Sequence, residues 1–376
     1  MKIGVDIRVL MDSYYSGVSV FTFNLLNSLI EKDKTNAYHF FYNSFKKNKA
    51  ELSFKNTVQT FYPNKIFNYL LQKNFSYPRL DKLTGGADLF YLPHINFASF
   101  SKNVKKVITI HDLSFLRYPE FFSHRKNFWH KSVNISKKIK DFDKIIAVSE
   151  NTKNDLVELL RIKESKIEVV YPGISKSLSL NSDFSNDFLL KKYNINSAYI
   201  LYLGTIEPRK NIVGLIRAYN LLREAGFNQL LVLAGSWGWK TKDIKREWFK
   251  SKYKSDIIFT SYVPENEKAI FYSQADLFVY PSFYEGFGFP PLEAMYFSLP
   301  VISSNVSSLP EVLSNSALLV NPDKTGDLFE AMKMVLLDKN LREELKVRGK
   351  NRLNFFSWDK TALEYLKIFE KVYEEK

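Results

Sequence analysis

The sequence predicts an α/β protein built from two doubly wound, Rossmann-like domains. Its 376 residues exceed the usual length of one domain, which is roughly 100 to 200 residues. Short apolar runs alternate with segments whose apolar residues recur at helical spacing, and this alternation is typical of right-handed βαβ units and parallel sheets. A polar segment, 175–188, interrupts the alternation, which then starts again. We therefore expect one domain over residues 1–180 and a second over residues 190–357.

Apolar runs of strand length form two series. Segments with the apolar spacing of a helix, such as SVFTFNLLNSLIEK, separate successive runs. The first series is MKIGVDIRVL, ADLFYLP, VKKVITIHDL, DKIIAVSE and IEVVYPG, and the second is AYILYLGTI, QLLVLAGS, DIIFTSYV, ADLFVYPS and LPVISS. Ligands of open α/β sheets bind beyond the carboxyl ends of the strands. The loops that follow these runs are therefore where functional residues are expected.

Composition excludes several classes of protein. Hydrophobic residues make up 45% and charged residues 25%, which is typical of a soluble globular chain. Because there is no cysteine, disulfides, thiolate metal sites and cysteine nucleophiles are excluded. No apolar run approaches the roughly 20 residues of a membrane span, and Asp6 and Arg8 interrupt the region where a signal peptide would be apolar. A cytoplasmic location is expected.

Positive charge is concentrated in the first part of the chain. The net charge is +14, and residues 1–140 hold 22 Lys and Arg against nine Asp and Glu. Such asymmetry favours an anionic partner, although lysines also simply keep a protein soluble. Aromatic and basic residues alternate in 38–49 and 65–82, as in segments that lie at a membrane surface. Part of 38–49 must form a buried strand, so 65–82 is the membrane candidate.

Three loops of the first half contain residue types that bind substrates. Gly17 lies between the first strand and its helix, where a backbone without a side chain can approach a phosphate. His111 follows a strand and could donate a hydrogen bond to a substrate hydroxyl, or it is a structural histidine. His94 has a similar setting. No G-x-G-x-x-G or G-x-x-x-x-G-K-[ST] sequence occurs, which disfavours dinucleotide oxidoreductases and P-loop enzymes.

The second half contains a candidate anion site in YLGTIEPRKNIVGLIRAY. Arg209 and Lys210 come just before a helix that is predicted to begin near Asn211. A guanidinium fork, an ammonium group and a helix N-terminus together suit a diphosphate. The alternative is a pair of solvated surface cations.

Two glutamates flank two glycines in FYEGFGFPPLEAM. Glu285 is predicted to lie in the loop after a strand, and Glu293 to lie in the helix that begins at the two prolines. Carboxylates bind vicinal hydroxyls well, because each oxygen accepts a charge-assisted hydrogen bond. The pattern predicts a hydroxylated ligand held at two places.

These motifs resemble those of family 4 of the retaining glycosyltransferases, which have the GT-B fold: two Rossmann-like domains that face each other across a cleft. EGFGFPPLE matches the E-x7-E signature of that family, and IHDLSFLRYPEFF, AVSENTKNDL and VVYPGI are similar to its N-terminal domain. FSWDKTALEYLKIFEKVYEE resembles its final helices, which cross back over the first domain. The resemblance therefore implies that residues 358–376 complete the first domain.

The resemblance also implies a donor site in the second domain. Arg209 and Lys210 would neutralise the donor diphosphate, and Glu293 would bind the ribose hydroxyls of the nucleotide. The transferred sugar would be held by Glu285 and by the backbone of Gly286, Phe287 and Gly288.

Other positions carry over from the same family. His111, from the opposite domain, would reach the sugar near the reacting carbon, and Gly17 would let the first loop approach the donor phosphates. Ser236 and Val263 lie in segments that flank the nucleotide base. The family often has glycine where Ser261 stands in this sequence.

Within this family, the sequence resembles bacterial O-antigen and polysaccharide mannosyltransferases. The resemblance implies GDP-mannose as the donor, with a UDP-sugar or another GDP-sugar as the alternative. It implies a growing glycan on a polyprenyl diphosphate as the acceptor, at an anionic membrane surface on the inner face of the plasma membrane. It implies no metal or other cofactor, since fixed cations would carry the charge of the departing diphosphate.

Two other functions compete with this interpretation. A nucleotide-sugar 2-epimerase shares the architecture and needs no acceptor, so incubation with the donor alone would produce an epimer. A nucleic-acid-binding protein would explain the basic half. Against it, Glu285 and Glu293 would repel phosphates, and no nucleic-acid-binding module is recognised. No nucleic-acid partner is therefore expected.

Overall fold

The computed structural model describes residues 1–11, 17–45, 54–72, 77–174 and 191–375. The polar segment 175–188, and parts of 38–49 and 65–82, lie outside these ranges. Two compact units make up the chain: the first comprises Met1–Arg117, His124–Gly173 and Phe356–Lys376, and the second comprises Tyr118–Ser123 and Ile174–Phe355. The six residues Tyr118–Ser123 thus belong to the second unit, which the sequence analysis did not predict.

The first unit contains a parallel sheet of seven strands in the order β3-β2-β1-β4-β5-β6-β7. Its strands are β1 Lys2–Asp6, β2 Ala37–Asn43, β3 Thr57–Thr60, β4 Leu89–Leu92, β5 Lys105–Ile110, β6 Lys144–Ala147 and β7 Ile167–Val169. The strands β4 and β6 are buried at every residue, as expected of a parallel sheet covered on both faces. The strand order reverses between β1 and β4, which is therefore the switch point of this sheet.

The second unit contains a parallel sheet of six strands in the order β10-β9-β8-β11-β12-β13. Its strands are β8 Tyr199–Leu203, β9 Leu230–Ala234, β10 Ile257–Ser261, β11 Leu277–Tyr280, β12 Val301–Ser304 and β13 Leu318–Val320. The switch point lies between β8 and β11, so a ligand is expected beyond the carboxyl ends of these two strands.

Helices connect the strands. Those of the first half are α1 Gly17–Lys32, α2 Asn64–Gln72, α3 Leu80–Leu83, α4 Ser114–Arg117, α5 His124–Val133, α6 Ile135–Lys138 and α7 Glu150–Leu160. Those of the second half are α8 Ile212–Glu224, α9 Lys242–Lys250, α10 Glu265–Gln274, α11 Phe289–Tyr296, α12 Leu309–Leu313, α13 Thr325–Leu337, α14 Lys339–Arg352 and α15 Trp358–Glu374. Short 3-10 turns include Pro119–Phe121 and Pro208–Lys210.

The helix α15 follows the second unit in sequence but packs against α1 in the first unit. The hydroxyl of Tyr365 lies 2.7 Å from that of Thr109 on β5, and Thr361 donates a hydrogen bond to the carbonyl of Tyr171. Gly173 approaches the backbone of Trp358 so closely that a Cβ atom would collide with it. The prediction that the terminal helix returns to the first domain is confirmed.

Every predicted strand is present, and two further strands were not predicted. These are β3 and β13, each at one edge of its sheet, with four and three residues. In β3, Thr57–Thr60, Val58 is the one apolar residue of the four, so this strand has no apolar run from which it could be predicted. The predicted α/β class with two doubly wound sheets is confirmed.

Candidate functional site

Arg209 lies in the turn after β8 and is held by three oxygen acceptors. Its Nη1 donates to the carbonyl of Tyr284 at 2.6 Å and to Glu285 Oε2 at 3.0 Å, and its Nη2 donates to Glu207 Oε1 at 2.8 Å. Asn211, with φ 55°, caps the following helix by accepting a bond from the amide of Gly214. The guanidinium orientation is therefore fixed before any ligand binds.

Lys210 is buried, with 6% of the residue exposed. Its ammonium group donates to Glu285 Oε1 at 2.5 Å and to the hydroxyl of Tyr280 at 2.6 Å. Burial and the neighbouring Arg209 lower the pKa of Lys210, against the effect of Glu285. An ammonium group has three hydrogens, and the described residues accept two of them.

Glu285 pairs with both cations through its two oxygens. Burial alone would raise its pKa, but Arg209 and Lys210 outweigh burial and bring the pKa to about 2, so the carboxylate is ionised at neutral pH. The loop is fixed from the other side by two serines. The amide of Glu285 donates to Ser307 Oγ at 3.0 Å, and Ser308 Oγ donates to the carbonyl of Glu285 at 3.0 Å.

Glu207 is a site residue that the sequence analysis missed. Its side chain is 2% exposed, and Oε1 pairs with Arg209 at 2.8 Å. Its Oε2 is buried without a hydrogen-bond partner among the described residues. Glu207 and Glu285 balance the formal charges of Arg209 and Lys210. The signal was present in TIEPRK, where the glutamate lies two residues before Arg209.

Glu293 lies on α11, as predicted, where its Oε2 accepts a hydrogen bond from the hydroxyl of Tyr272 at 2.7 Å. Burial would lower the pKa of Lys268, but Glu293 and Glu265 outweigh burial and raise it. The ammonium group of Lys268 is 2.7 Å from Glu265 Oε2. These carboxylates and Lys268 form a second polar group beside the predicted ribose position.

The glycine-rich loop 286–288 joins Glu285, which pairs with the two cations, to the helix that carries Glu293. Gly288 caps α11 with φ 94°, a conformation that favours glycine. The carbonyl of Phe287 accepts a hydrogen bond from Ser308, and Gly286 and Phe287 are buried. The structure therefore brings together the cation pair and the loop that carries Glu285.

The segments predicted to flank the base lie at the ends of β9 and β10. Ser236 is exposed and its carbonyl accepts a bond from Ile206, whereas Val263 is buried. Ser261 adopts φ 62°, in the left-handed region that favours glycine. Glycine would adopt this conformation without the strain that a side chain brings.

The three candidate residues of the first unit, Gly17, His94 and His111, lie in the chain segments that follow the carboxyl ends of β1, β4 and β5. Gly17 is the first residue of α1, and the loop before it, 12–16, lies outside the described residues. His111 Nε2 is 2.8 Å from the carbonyl of Pro93. Burial lowers the pKa of His111 to about 4, so the ring is neutral and donates through Nε2. A substrate hydroxyl would therefore have to donate to Nδ1, the reverse of the predicted direction.

His94 is half-buried, and burial of its ring lowers its pKa to about 4, so it is also neutral. Its Nδ1 has no hydrogen-bond partner within the described ranges. Roles for His94 and His111 in substrate binding stay predictions.

The described residues contain neither a metal-binding cluster nor a membrane-spanning helix. No three side chains of the kinds that bind metals converge there. No helix in the same part of the chain is long and apolar enough to cross a membrane.

Two family models match the chain in succession: "Glycosyltransferase Family 4" over residues 15–178 and "Glycosyl transferases group 1" over residues 185–352. The O-antigen chain mannosyltransferase B of Escherichia coli is 32% identical over 284 residues, which are 75% of this chain and 72% of that protein. The serotype-specific mannosyltransferase WbdA of Escherichia coli is 31% identical over 265 residues, or 69% of this chain, but the match spans only 32% of WbdA.

Solved structures share the fold at low identity. HepE from Anabaena, in complex with UDP and glucose, superposes with a TM-score of 0.75 at 16% identity, over 99% of this chain and 100% of that one. The two-sheet architecture described above is therefore the GT-B fold.

Proposed function

Since this chain belongs to glycosyltransferase family 4, we propose that it transfers mannose, with retention of configuration, from GDP-mannose to a growing polysaccharide on a polyprenyl diphosphate. The observation that carries this proposal is the cluster of Arg209, Lys210 and Glu285 at the switch point of the second sheet. The matched relatives named mannosyltransferases support mannose as the sugar.

The cluster suits the departure of a diphosphate. Cleavage of a sugar–phosphate bond develops positive charge on the sugar and negative charge on the leaving oxygen. Arg209 and Lys210, already fixed by Glu207 and Glu285, would stabilise that oxygen without reorganising. The leaving phosphate would take the proton of the attacking acceptor hydroxyl on the same face. We propose that this chemistry needs no divalent metal.

Glu265 supports guanine as the base. It begins α10, two residues after Val263, and Lys268 holds its carboxylate. Guanine presents an N1–H and an amino group side by side, and one carboxylate can accept both. Uracil presents a single N–H between two carbonyls, which a carboxylate would repel. A carboxylate beside the base therefore favours GDP over UDP.

Isothermal calorimetry with GDP, UDP and ADP, and with GDP-mannose and UDP-glucose, tests the donor. We expect GDP to bind and Glu265→Gln to weaken GDP binding about 10- to 100-fold while changing UDP binding little, because a bidentate contact is lost. Glu343→Gln is a matched control, since Glu343 is also exposed and pairs with a lysine three residues later. Preference of the unaltered chain for UDP would contradict the donor assignment.

A basic aromatic surface on the first unit supports membrane attachment. It comprises Ile66 and Tyr69 of α2, which are 56% and 53% exposed, and Phe128 and Trp129 of α5. The segment 124–140 contains six Lys and Arg and no Asp or Glu. Lys138 Nζ lies 3.5 Å from the carbonyl of Leu71, so α6 and the end of α2 are neighbours. The sequence analysis identified 65–82 but missed 124–140.

This surface has the chemistry of a site for anionic lipid. Exposed rings suit the headgroup region, and each cation near an anionic leaflet adds about 1 kcal/mol of attraction. We propose that it attaches the enzyme to the membrane that carries its acceptor.

Vesicle sedimentation tests the attachment. We expect binding to phosphatidylglycerol vesicles that falls steeply as salt rises, and weaker binding by Phe128→Ala. Phe249→Ala is the control, because Phe249 is similarly exposed on the second unit. Equal binding to neutral and anionic vesicles would argue against the proposed surface.

A further inference from the structure

A segment from the first half of the chain is built into the donor unit. Residues 118–123, which we call the strap, are flanked on both sides by residues of the first unit but pack within the second. Building on the proposed function, we infer that the strap is a positioning element of the donor site. It holds the loop that carries Glu285 in the conformation that binds Arg209.

The strap is bonded to the loop after β9. Trp239 Nε1 donates to the carbonyl of Phe121 at 2.6 Å, and Lys240 Nζ donates to the carbonyl of Glu120 at 2.7 Å. The rings of Phe122 and Trp239 stack with their centroids 5.9 Å apart. These contacts fix the backbone of the strap as well as its side chains.

The same strap covers the loop after β11. The ring of Phe121 stacks on that of Phe283 with centroids 5.6 Å apart, and Tyr118 packs edge-on against Tyr284 at 5.7 Å. The strap therefore joins two loops of the donor unit that are distant in sequence.

Both residues beneath the strap hold Arg209. The amide of Phe283 donates to the carbonyl of Arg209 at 2.9 Å, and the carbonyl of Tyr284 accepts from its guanidinium group at 2.6 Å. Glu285 follows directly and pairs with Arg209 and Lys210. A shift of residues 283–284 would therefore move three of the groups that are proposed to contact the donor.

Aromatic packing alone would only stabilise the unit, whereas a positioning role changes donor binding. Loops that lose their supporting contacts sample more conformations, and a site populated only part of the time binds its ligand more weakly by that fraction. Donor affinity must therefore be compared under conditions in which every variant is fully folded.

Trp239→Phe separates the two roles because it keeps a stacked ring but removes the N–H bond to the strap. Trp248→Phe is the matched control: Trp248 Nε1 also donates to a backbone carbonyl, that of Lys254 at 3.1 Å, in the same unit. We expect Trp239→Phe to raise the Kd for GDP about 3- to 10-fold, which is the effect of one hydrogen bond. Trp248→Phe should leave that Kd unchanged.

Tryptophan fluorescence gives a second readout. GDP should change the emission of the unaltered chain, of Trp248→Phe and of Lys240→Met, and titration of that change should give a higher Kd for Lys240→Met than for the other two. Lys240→Met removes the other strap bond at an exposed residue and should also weaken GDP binding, so the test remains valid if Trp239→Phe fails to fold.

The outcomes distinguish the two proposals. If both Trp239→Phe and Lys240→Met bind GDP as tightly as Trp248→Phe, the positioning role is overturned while the donor site stands. If the unaltered chain binds UDP instead, the same variants are compared with UDP, and the strap inference is judged on that Kd. If the unaltered chain binds none of the nucleotides or their sugars, the proposed function fails, and the role of the strap in donor binding fails with it.

Discussion

Replacing Glu285 with glutamine is expected to lower the free energy of unfolding by about 3 to 5 kcal/mol and to abolish sugar transfer. The variant leaves Lys210 and Arg209 in a buried site without their shared carboxylate, and an unpaired buried charge is among the costliest single changes. Urea denaturation followed by fluorescence measures the first effect. Incorporation of radiolabelled sugar into the acceptor measures the loss of transfer.

A double variant separates stability from function. Lys210→Met combined with Glu285→Gln removes two opposite charges together, so it should recover part of the lost stability. It should remain inactive, because both groups are proposed to act on the donor. A double variant that is no more stable than Glu285→Gln would show that the charges of Lys210 and Glu285 do not stabilise each other. Recovery of transfer would contradict their catalytic roles.

The second large effect is expected for Arg209→Lys. Lysine keeps the charge but cannot reach Glu207, Glu285 and the carbonyl of Tyr284 at once, as the guanidinium group does. We expect kcat/KM for the nucleotide sugar to fall about 100-fold, the range seen when one fixed donor to a developing oxyanion is lost.

Arg217→Lys is the control for this change. Arg217 is exposed on α8 and makes one ion pair, with Glu247, so its replacement should leave the kinetics unchanged. Steady-state rates at several donor concentrations distinguish the two variants. Similar rates for Arg209→Lys and the unaltered chain would mean that the bridge to the two glutamates is not used in the reaction.

The parts of the fold that could be predicted depend on local patterns. Each buried strand of a parallel sheet is a short apolar run, and the loop after it holds the polar residues, so Arg209, Lys210 and Glu285 could be found from their positions in sequence. The pairing of those residues with each other could not, because it depends on how two loops meet in three dimensions. Nothing in the sequence indicated that Lys210 would be buried, or that both cations would be paired with carboxylates.

The residues that the sequence analysis missed are placed by tertiary contacts, which a local sequence pattern does not show. Glu207 is polar in a polar turn, and its burial and its ion pair with Arg209 distinguish it from a solvated glutamate. Nothing in residues 118–123 indicates that they leave the unit of their neighbours, because their stacking partners, Trp239 and Phe283, lie 117 and 162 residues further along the chain. Likewise, His111 looked like a donor in sequence, and only the nearby carbonyl of Pro93 shows where its proton is used.

The path of the chain also orders its folding during synthesis. Residues 118–123 emerge from the ribosome before the rest of the second unit, so that unit possesses all of its parts once residue 355 has emerged. The first unit must wait longer, because α15 covers α1 and is made only after the second unit. Until then, the apolar face of α1 stays open on the nascent chain. The half that is synthesised first is therefore the half that finishes folding last.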